Sequence, residues 1–251
     1  MESAVFRPCV LIPVYNHEHA IFDVVTRVLV HRIHCILVDD GSHTACAEKL
    51  HELASANAGQ LSLVTHDRNR GKGAAVMTGF KHAARLGFTH VLQIDADGQH
   101  DTNDIPVFLD AARFNPDSLI TGYPLYDRSV PAVRLYCRYL THIWVWINTL
   151  SFQIKDSMCG LRVYPVSSVL KLINKHRPGS RMTFDTDIIV RLFWEGTNVL
   201  NLPTKVTYPA DGISHFRPFA DNVQISFMHT RLFFGMLIRI PRLLRLKWNR
   251  S

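Results

Sequence analysis

The run His90-Val91-Leu92-Gln93-Ile94-Asp95-Ala96-Asp97-Gly98-Gln99-His100-Asp101 decides how this chain is read. Its apolar residues 91–94 have the pattern of a buried parallel strand, and two carboxylates, Asp95 and Asp97, follow where that strand ends. In an open α/β sheet, ligands lie beyond the carboxyl ends of the strands, so this turn is a place for chemistry. Acidic groups that close repel each other unless a cation lies between or beside them. Hard oxygen ligands suit Mg²⁺ or Mn²⁺, ions that share their shell with substrate phosphates. Gln99 adds an amide oxygen on the same turn, so Asp95, Asp97 and Gln99 are the candidate metal ligands. The bare triplet fits an acidic helix cap equally well, with Asp97 or Asp101 in that role. Only the rest of the chain separates the two readings.

Working outward on the amino-terminal side, residues 9–14, 33–38, 61–65 and 91–94 have strand patterns, with helical patterns at 20–30, 44–56 and 73–86 between them. That rhythm predicts βαβ units and a mostly parallel, Rossmann-like sheet with helices on both faces. Each strand is followed by a polar loop on the same sheet edge. Asp40, in Asp39-Asp40-Gly41-Ser42, offers a carboxylate to a base or ribose. Asn69-Arg70-Gly71-Lys72-Gly73 opens a helix, where free N–H groups and a lysine suit an anion. Taken singly, each loop is an ordinary turn or helix start. The set is more specific than its members.

At this point the sequence resembles a known family. Val10-Leu11-Ile12-Pro13-Val14-Tyr15-Asn16, Val38-Asp39-Asp40-Gly41-Ser42, Asn69-Arg70-Gly71-Lys72-Gly73 and Asp95-Ala96-Asp97-Gly98-Gln99-His100 are similar, in order and spacing, to the motifs of inverting family-two glycosyltransferases with a GT-A fold. The resemblance is nearest to the branch that includes dolichyl-phosphate mannose synthase and polyprenyl-phosphate sugar transferases. It implies a donor nucleotide-sugar site built from Pro13, Tyr15, Asn16, Glu18, Asp40, Asn69, Gly71, Lys72, Asp95, Ala96 and Asp97. The branch usually carries Glu directly after Tyr-Asn, whereas here His17 stands there and Glu18 follows it.

The second half is less regular. Residues 118–122 have a strand pattern, and the loop from Tyr123 to Pro131 is long enough to be a lid. Arg134 and Arg138 lie four apart on the helix that follows, and such guanidinium groups can clamp a phosphate. By resemblance this is the acceptor-phosphate region, which makes Arg128, Arg134 and Arg138 candidates. Asp156, in Asp156-Ser157-Met158-Cys159-Gly160-Leu161-Arg162, matches a signature of the branch and is read either as a base or as the group that fixes the Gly160 turn. Phe184-Asp185-Thr186-Asp187 opens an amphipathic helix to Trp194 with Asp185 as its cap; a catalytic role for Asp185 or Asp187 is the lesser alternative. His215 and Arg217 resemble the basic loop that closes on a departing diphosphate.

Composition places bounds on all this. The 251 residues are 47% hydrophobic and 20% charged, which describes a globular chain with a full core. The formal charge of +7 is concentrated after Asp221, where Arg231, Arg239, Arg242, Arg245, Lys247 and Arg250 meet no acidic residue. These alternate with Phe227, Leu232, Phe233, Ile240, Leu244 and Trp248, the composition of an in-plane membrane helix on anionic lipid, while the alternative is a helix packed on the sheet. Pro241 is expected to interrupt it, the first half packing and the second touching lipid, with Trp144 and Trp146 on the same surface. Nucleic acid is not expected, because no stacking aromatics interleave a basic groove. The five cysteines show no C-x-x-C pairing and read as reduced, Cys9 and Cys35 as small buried hydrophobes. No leader pattern and no apolar run of about 18–20 residues is present.

The expectation is one GT-A domain over 1–220, with a nucleotide-sugar half at 8–125 and an acceptor half at 126–220, and basic membrane-associating helices at 221–251. Its activity would be metal-dependent transfer, with inversion, from a UDP- or GDP-linked sugar to a polyprenyl phosphate or lipid at the cytoplasmic face of the membrane. A sugar nucleotidyltransferase or an inactive membrane adaptor are the alternatives. The first would carry a glycine-rich loop after strand one, where this chain has Pro13-Val14-Tyr15-Asn16.

Overall fold

The computed structural model describes residues 5–125, 132–207 and 218–248, the side chains of 132–137 and 218 apart. Seven strands form one sheet: β1 (Pro8–Val14), β2 (Cys35–Asp39), β3 (Leu61–Thr65), β4 (His90–Gln93), β5 (Leu119–Leu125), β6 (Arg162–Pro165) and β7 (Val199–Lys205). Their order is β3-β2-β1-β4-β6-β5-β7. Every neighbouring pair is parallel except those made by β6, which runs against both β4 and β5. This is the mostly parallel α/β sheet that the alternation predicts, in the GT-A form that the resemblance implies.

Successive side chains on a strand point to opposite faces, and the two cores follow that alternation. Cys9, Leu11, Ile36, Val38 and Val91 face α3 (Lys72–Arg85), α6 (Val166–Lys175) and α7 (Phe184–Trp194). Val10, Ile12, Cys35, Leu37 and Leu92 face α1 (Ile21–Leu29), α2 (Thr44–Ala56) and α4 (Ile105–Phe114), the last reached through a 3-10 turn at Thr102–Asp104. Because α3 is rich in small residues, it lies close on the sheet, with Ala75, Val76, Gly79, Phe80 and Ala83 buried. Cys9, Cys35, Cys46 and Cys159 are buried free thiols, and burial pushes those of Cys35 and Cys159 up to about 12.

Three sequence expectations need correction. Strand β5 runs on to Leu125, past the expected end at Gly122, because β7 pairs with it in parallel from Leu119↔Val199 to Leu125↔Lys205. Helix α7 is not amphipathic: every residue from Phe184 to Trp194 except Arg191 is buried. Its cap position is Thr183, and Asp185 lies inside the first turn. Finally, α8 (Pro218–Trp248) is a single helix that continues through Pro241. Met228, Leu232, Met236 and, beyond the proline, Leu243 are buried in the core it shares with α5 (Ala132–Thr149) and α7. Packing therefore extends through the half expected on lipid. The outer side of the same helix leaves Val223, Phe227, Phe234, Ile238 and Trp248 exposed. Trp144 stacks on His229 and meets Phe233 on this side, whereas Trp146 turns inward and donates from Nε1 to the Ile154 carbonyl at 3.0 Å.

Candidate active site

All parallel strands end on one edge of the sheet, and antiparallel β6 begins there. Register sets the juxtaposition: Val14 pairs with Asp39, Asp39 with Thr65, Leu11 with Gln93, and Gln93 with Arg162. The turn after β1, Asp40, His66, the Asp95–Asp97 turn and the Asp156–Gly160 segment thus converge.

At the tip of β4, Asp97 accepts from the Gln99 N–H at 3.0 Å, and the Gln99 carbonyl accepts from Thr207 N–H at 2.9 Å. Burial and the charge of Asp95 raise the Asp97 pKa, as two neighbouring carboxylates require. Asp95 goes the other way: burial opposes its charge, but the Lys72 ammonium outweighs it and holds the carboxyl below the usual range. Lys72 Nζ stands 2.7 Å from Asp95 Oδ1 and 2.7 Å from Asp185 Oδ2. The cation expected beside the pair is therefore supplied, in this state, by the protein. The carboxylates of Asp185 and Asp95 together keep Lys72 charged despite its burial. A side chain at Gly160 would collide with the Asp95 carboxylate, so only glycine lets this backbone come so near.

Beneath the pair lies a buried polar layer. Gln93 Nε2 donates to Asp185 Oδ1 at 3.0 Å. Arg162, fully buried, donates to the Asp185 carbonyl at 2.7 Å and to Tyr164 Oη at 3.2 Å. Burial lifts the Tyr164 phenol to about 12. His100 is buried at the same turn, and burial lowers its pKa against the pull of Asp95 and Asp97.

Several of the expected donor-site residues also make contacts inside the protein. Asp40 Oδ1 accepts from Arg70 N–H at 2.9 Å and pairs with His66 Nδ1 at 2.7 Å, and Oδ2 accepts from Gly71 N–H at 2.7 Å. His66 Nε2 meets Thr78 Oγ1 at 2.9 Å. Asp40 thus shapes the 69–72 loop. At the start of α3, Ala74 N–H donates to Ser180 O at 3.0 Å, so this N–H is not left for an anion. Gly71 there has φ +97°, where a side chain would also strike the 180–181 backbone. Asn69 Oδ1 takes a 3.4 Å bond from Arg181. Asn16, at φ +54°, links the first loop to the second through Ser42 Oγ (3.0 Å) and His43 N–H (2.9 Å). Glu18 has its carboxyl pKa lowered by its own backbone N–H and by His43 and His19. Pro13 is buried at the end of β1, Tyr15 is half-buried beyond it, and Ala96 is buried between the two aspartates.

The acceptor-side candidates separate. Arg138 is bidentate on Asp156, Nε to Oδ2 at 2.6 Å and Nη2 to Oδ1 at 2.9 Å, rather than open to a phosphate. Asp156 Oδ1 also accepts from Met158 and Cys159 N–H at 2.7 Å each, which fixes the turn that delivers Gly160 to Asp95. Burial disfavours its charge, yet the His142 and Arg138 contacts outweigh it and hold the carboxyl well below the usual range. So strongly stabilised an anion is a poor base, and of its two readings the turn-fixing one matches the contacts. Asp187 is fully buried and accepts from Gly179 N–H (2.8 Å), Arg191 (2.6 Å) and Arg231 (2.5 Å). It is an anchor between α7, the preceding loop and α8, which corrects its candidacy as a base. Arg128, His215 and Arg217 lie outside the described residues, as does the side chain of Arg134.

Sequence reasoning missed Lys72's link to Asp185, the Gln93 and Arg162 layer, and His66. The Phe-Asp-Thr-Asp run was the available signal, but a cap reading absorbed it.

The sheet order, with the acidic pair at the carboxyl edge, is that of the GT-A fold. The chain belongs to glycosyl transferase family 2, whose family model matches residues 9–172. Among relatives, it is 28% identical over 223 residues to a polyprenol monophosphomannose synthase of Mycolicibacterium smegmatis, covering 83% of this chain and 80% of that one. It is 26% identical over 245 residues to the UDP-N-acetylglucosamine–dolichyl-phosphate N-acetylglucosaminyltransferase of Methanococcus voltae, covering 91% and 94%. Its fold is shared by glucosyl-3-phosphoglycerate synthase of Mycobacterium tuberculosis, solved with Mn²⁺, UDP and glucosyl-3-phosphoglycerate, at a TM-score of 0.63 and 16% identity over 94% of this chain and 80% of that one.

Proposed function

We propose that this enzyme moves a sugar, with inversion, from a UDP- or GDP-linked donor to the phosphate of a polyprenyl lipid, at the cytoplasmic face of a membrane, and that it needs Mg²⁺ or Mn²⁺. The observation that carries the reading is the acidic pair on the β4 tip, its mutual repulsion visible in Asp97 and its cation demand met in part by Lys72. Hard oxygens at that spacing fit a divalent ion. Two carboxylates and an amide leave positions that a donor diphosphate would fill. Asp95 and Asp97, with Gln99 beside them, would hold the ion, which when bound neutralises charge on the departing diphosphate. Lys72 adds a further positive charge at the same place.

The choice of acceptor follows from Asp156. A hydroxyl acceptor needs a base to take its proton, and this carboxylate is committed to Arg138 and the 158–159 turn. A phosphate oxygen is already an anion and needs none. The relatives' printed activities on polyprenol and dolichyl phosphate support the same acceptor class.

No described helix is long and apolar enough to cross a membrane. Attachment is instead supported by the outer sides of α5 and α8, where Leu140, Ile143, Phe227 and Ile238 stand exposed, with Arg245 exposed on the same helix as the last two. The test is a panel of nucleotide sugars incubated with membrane extract, read by mass spectrometry of the lipid fraction. A new glycosylated polyprenyl phosphate is expected. Tight binding of a nucleoside triphosphate in preference to UDP or GDP would favour a nucleotidyltransferase, and binding of neither would favour an inactive adaptor.

A further inference from the structure

We propose that Asp185 is a positioning residue that parks the Lys72 ammonium, so that a divalent ion carrying the donor diphosphate can take Asp95 from it. The inference rests on the metal–diphosphate reading above and concerns residues that reading leaves without a task.

Lys72 is shared between two carboxylates at the same distance, 2.7 Å, but the two are not equivalent. Asp185 is held on both sides: Gln93 fixes its Oδ1 at 3.0 Å, and buried Arg162 fixes its main-chain oxygen at 2.7 Å. It also sits on a helix buried nearly all round. Asp95 stands at the open end of β4, where a ligand can reach it. Lysine has a flexible four-carbon stem and three rotatable donors, so it is the member of the trio able to move.

An ion arriving at Asp95 therefore meets a resident cation on the same carboxylate. Both cannot hold that carboxylate without strong like-charge repulsion in a partly buried site. With Asp185 in place, the lysine surrenders Asp95 and keeps a full counter-charge, its other N–H groups remaining beside the diphosphate. With Asp185 neutralised, Asp95 becomes the lysine's remaining carboxylate in this trio, and lysine and ion compete for it outright.

The prediction is a sign pattern that packing alone would not produce. Titrating Mn²⁺, followed by its free-ion electron paramagnetic resonance signal, into protein with saturating UDP or GDP gives the binding curve. Asp185→Asn should weaken Mn²⁺ binding about tenfold, and Lys72→Met should tighten it about tenfold. In the double variant the Asp185 effect should vanish, because the competitor is gone. Unshifted Mn²⁺ binding in Lys72→Met, or an undiminished Asp185 effect in the double variant, overturns the proposal. If Asp185→Asn fails to fold by circular dichroism, Lys72→Met against wild type still decides, and Asp185→Glu should bind Mn²⁺ within about threefold of wild type. A wild-type protein that binds no Mn²⁺ with either nucleotide defeats the metal reading itself, and this inference with it.

Discussion

Replacing Asp156 with Asn separates two roles that give opposite results. The carboxylate is buried and takes both nitrogens of Arg138, with His142 Nε2 3.4 Å away. Asparagine keeps an oxygen for the Met158 and Cys159 N–H groups but leaves a guanidinium beneath the surface without its counter-charge. Breaking a buried pair from one side costs about 3–5 kcal/mol, a large share of the roughly 5–15 kcal/mol that holds a domain folded. At about 2–4 °C per kcal/mol for a chain of this size, Tm should drop by roughly 10 °C. The pH dependence has a definite sign. Because the folded carboxyl is held below its ordinary value, its stabilisation is complete above about pH 4 and fades as pH falls toward the folded value. The variant should lose that part of the acid limb. Denaturant melts at several pH values measure both, alongside kcat per folded molecule at 15 °C. A structural Asp156 predicts kcat within a few-fold of wild type. The reasoning is refuted if stability stays within about 0.5 kcal/mol while kcat falls 100-fold or more, the mark of a lost general base.

Asp97→Asn should leave Tm unchanged or slightly raised, since it relieves repulsion with Asp95, and should abolish transfer from any nucleotide sugar; near-normal turnover would reject the metal assignment. Phe227→Glu with Ile238→Glu, at positions 70% and 81% exposed, should release the protein from vesicles containing anionic lipid with little change in stability, and unchanged sedimentation would remove the membrane reading. His229, buried against Trp144, has its pKa lowered by burial to about 4. The unfolded chain then binds the extra proton first, so stability should decline as pH drops from about 6.5 to about 4, and His229→Phe should flatten that slope in denaturant melts.

How much of this could be read from the chain depends on how local each determinant is. The first four strands and their helices announce themselves because apolar periodicity and loop chemistry lie within a few residues of each other. Strand β6 does not: four residues, Arg162 to Pro165, with a buried guanidinium where an aliphatic side chain is expected, carry no alternation that identifies them. Its insertion between β4 and β5 is decided by partners far away. The acidic pair was legible as a cation site, but its actual neighbour was not, since Lys72 and Asp185 are 113 residues apart. Asp40 is conspicuous in the sequence, but its bonds to His66 and to the 70–71 backbone are not legible there, because those partners lie 26–31 residues on. Asp187 in α7 could not be told from its neighbour Asp185 until Arg231, from a helix 44 residues on, was seen to reach it.

That last contact bears on how the chain acquires its shape during synthesis. The apolar flanks of α5 and α7 are sealed by Met228, Leu232, Met236 and Leu243, all from the final described helix. A nascent polypeptide emerging amino end first would display those flanks, and an Asp187 carboxylate with Arg191 but not yet Arg231, until residues 218–248 clear the ribosome. The sheet can assemble early, but the molecule stays adhesive until its last helix arrives.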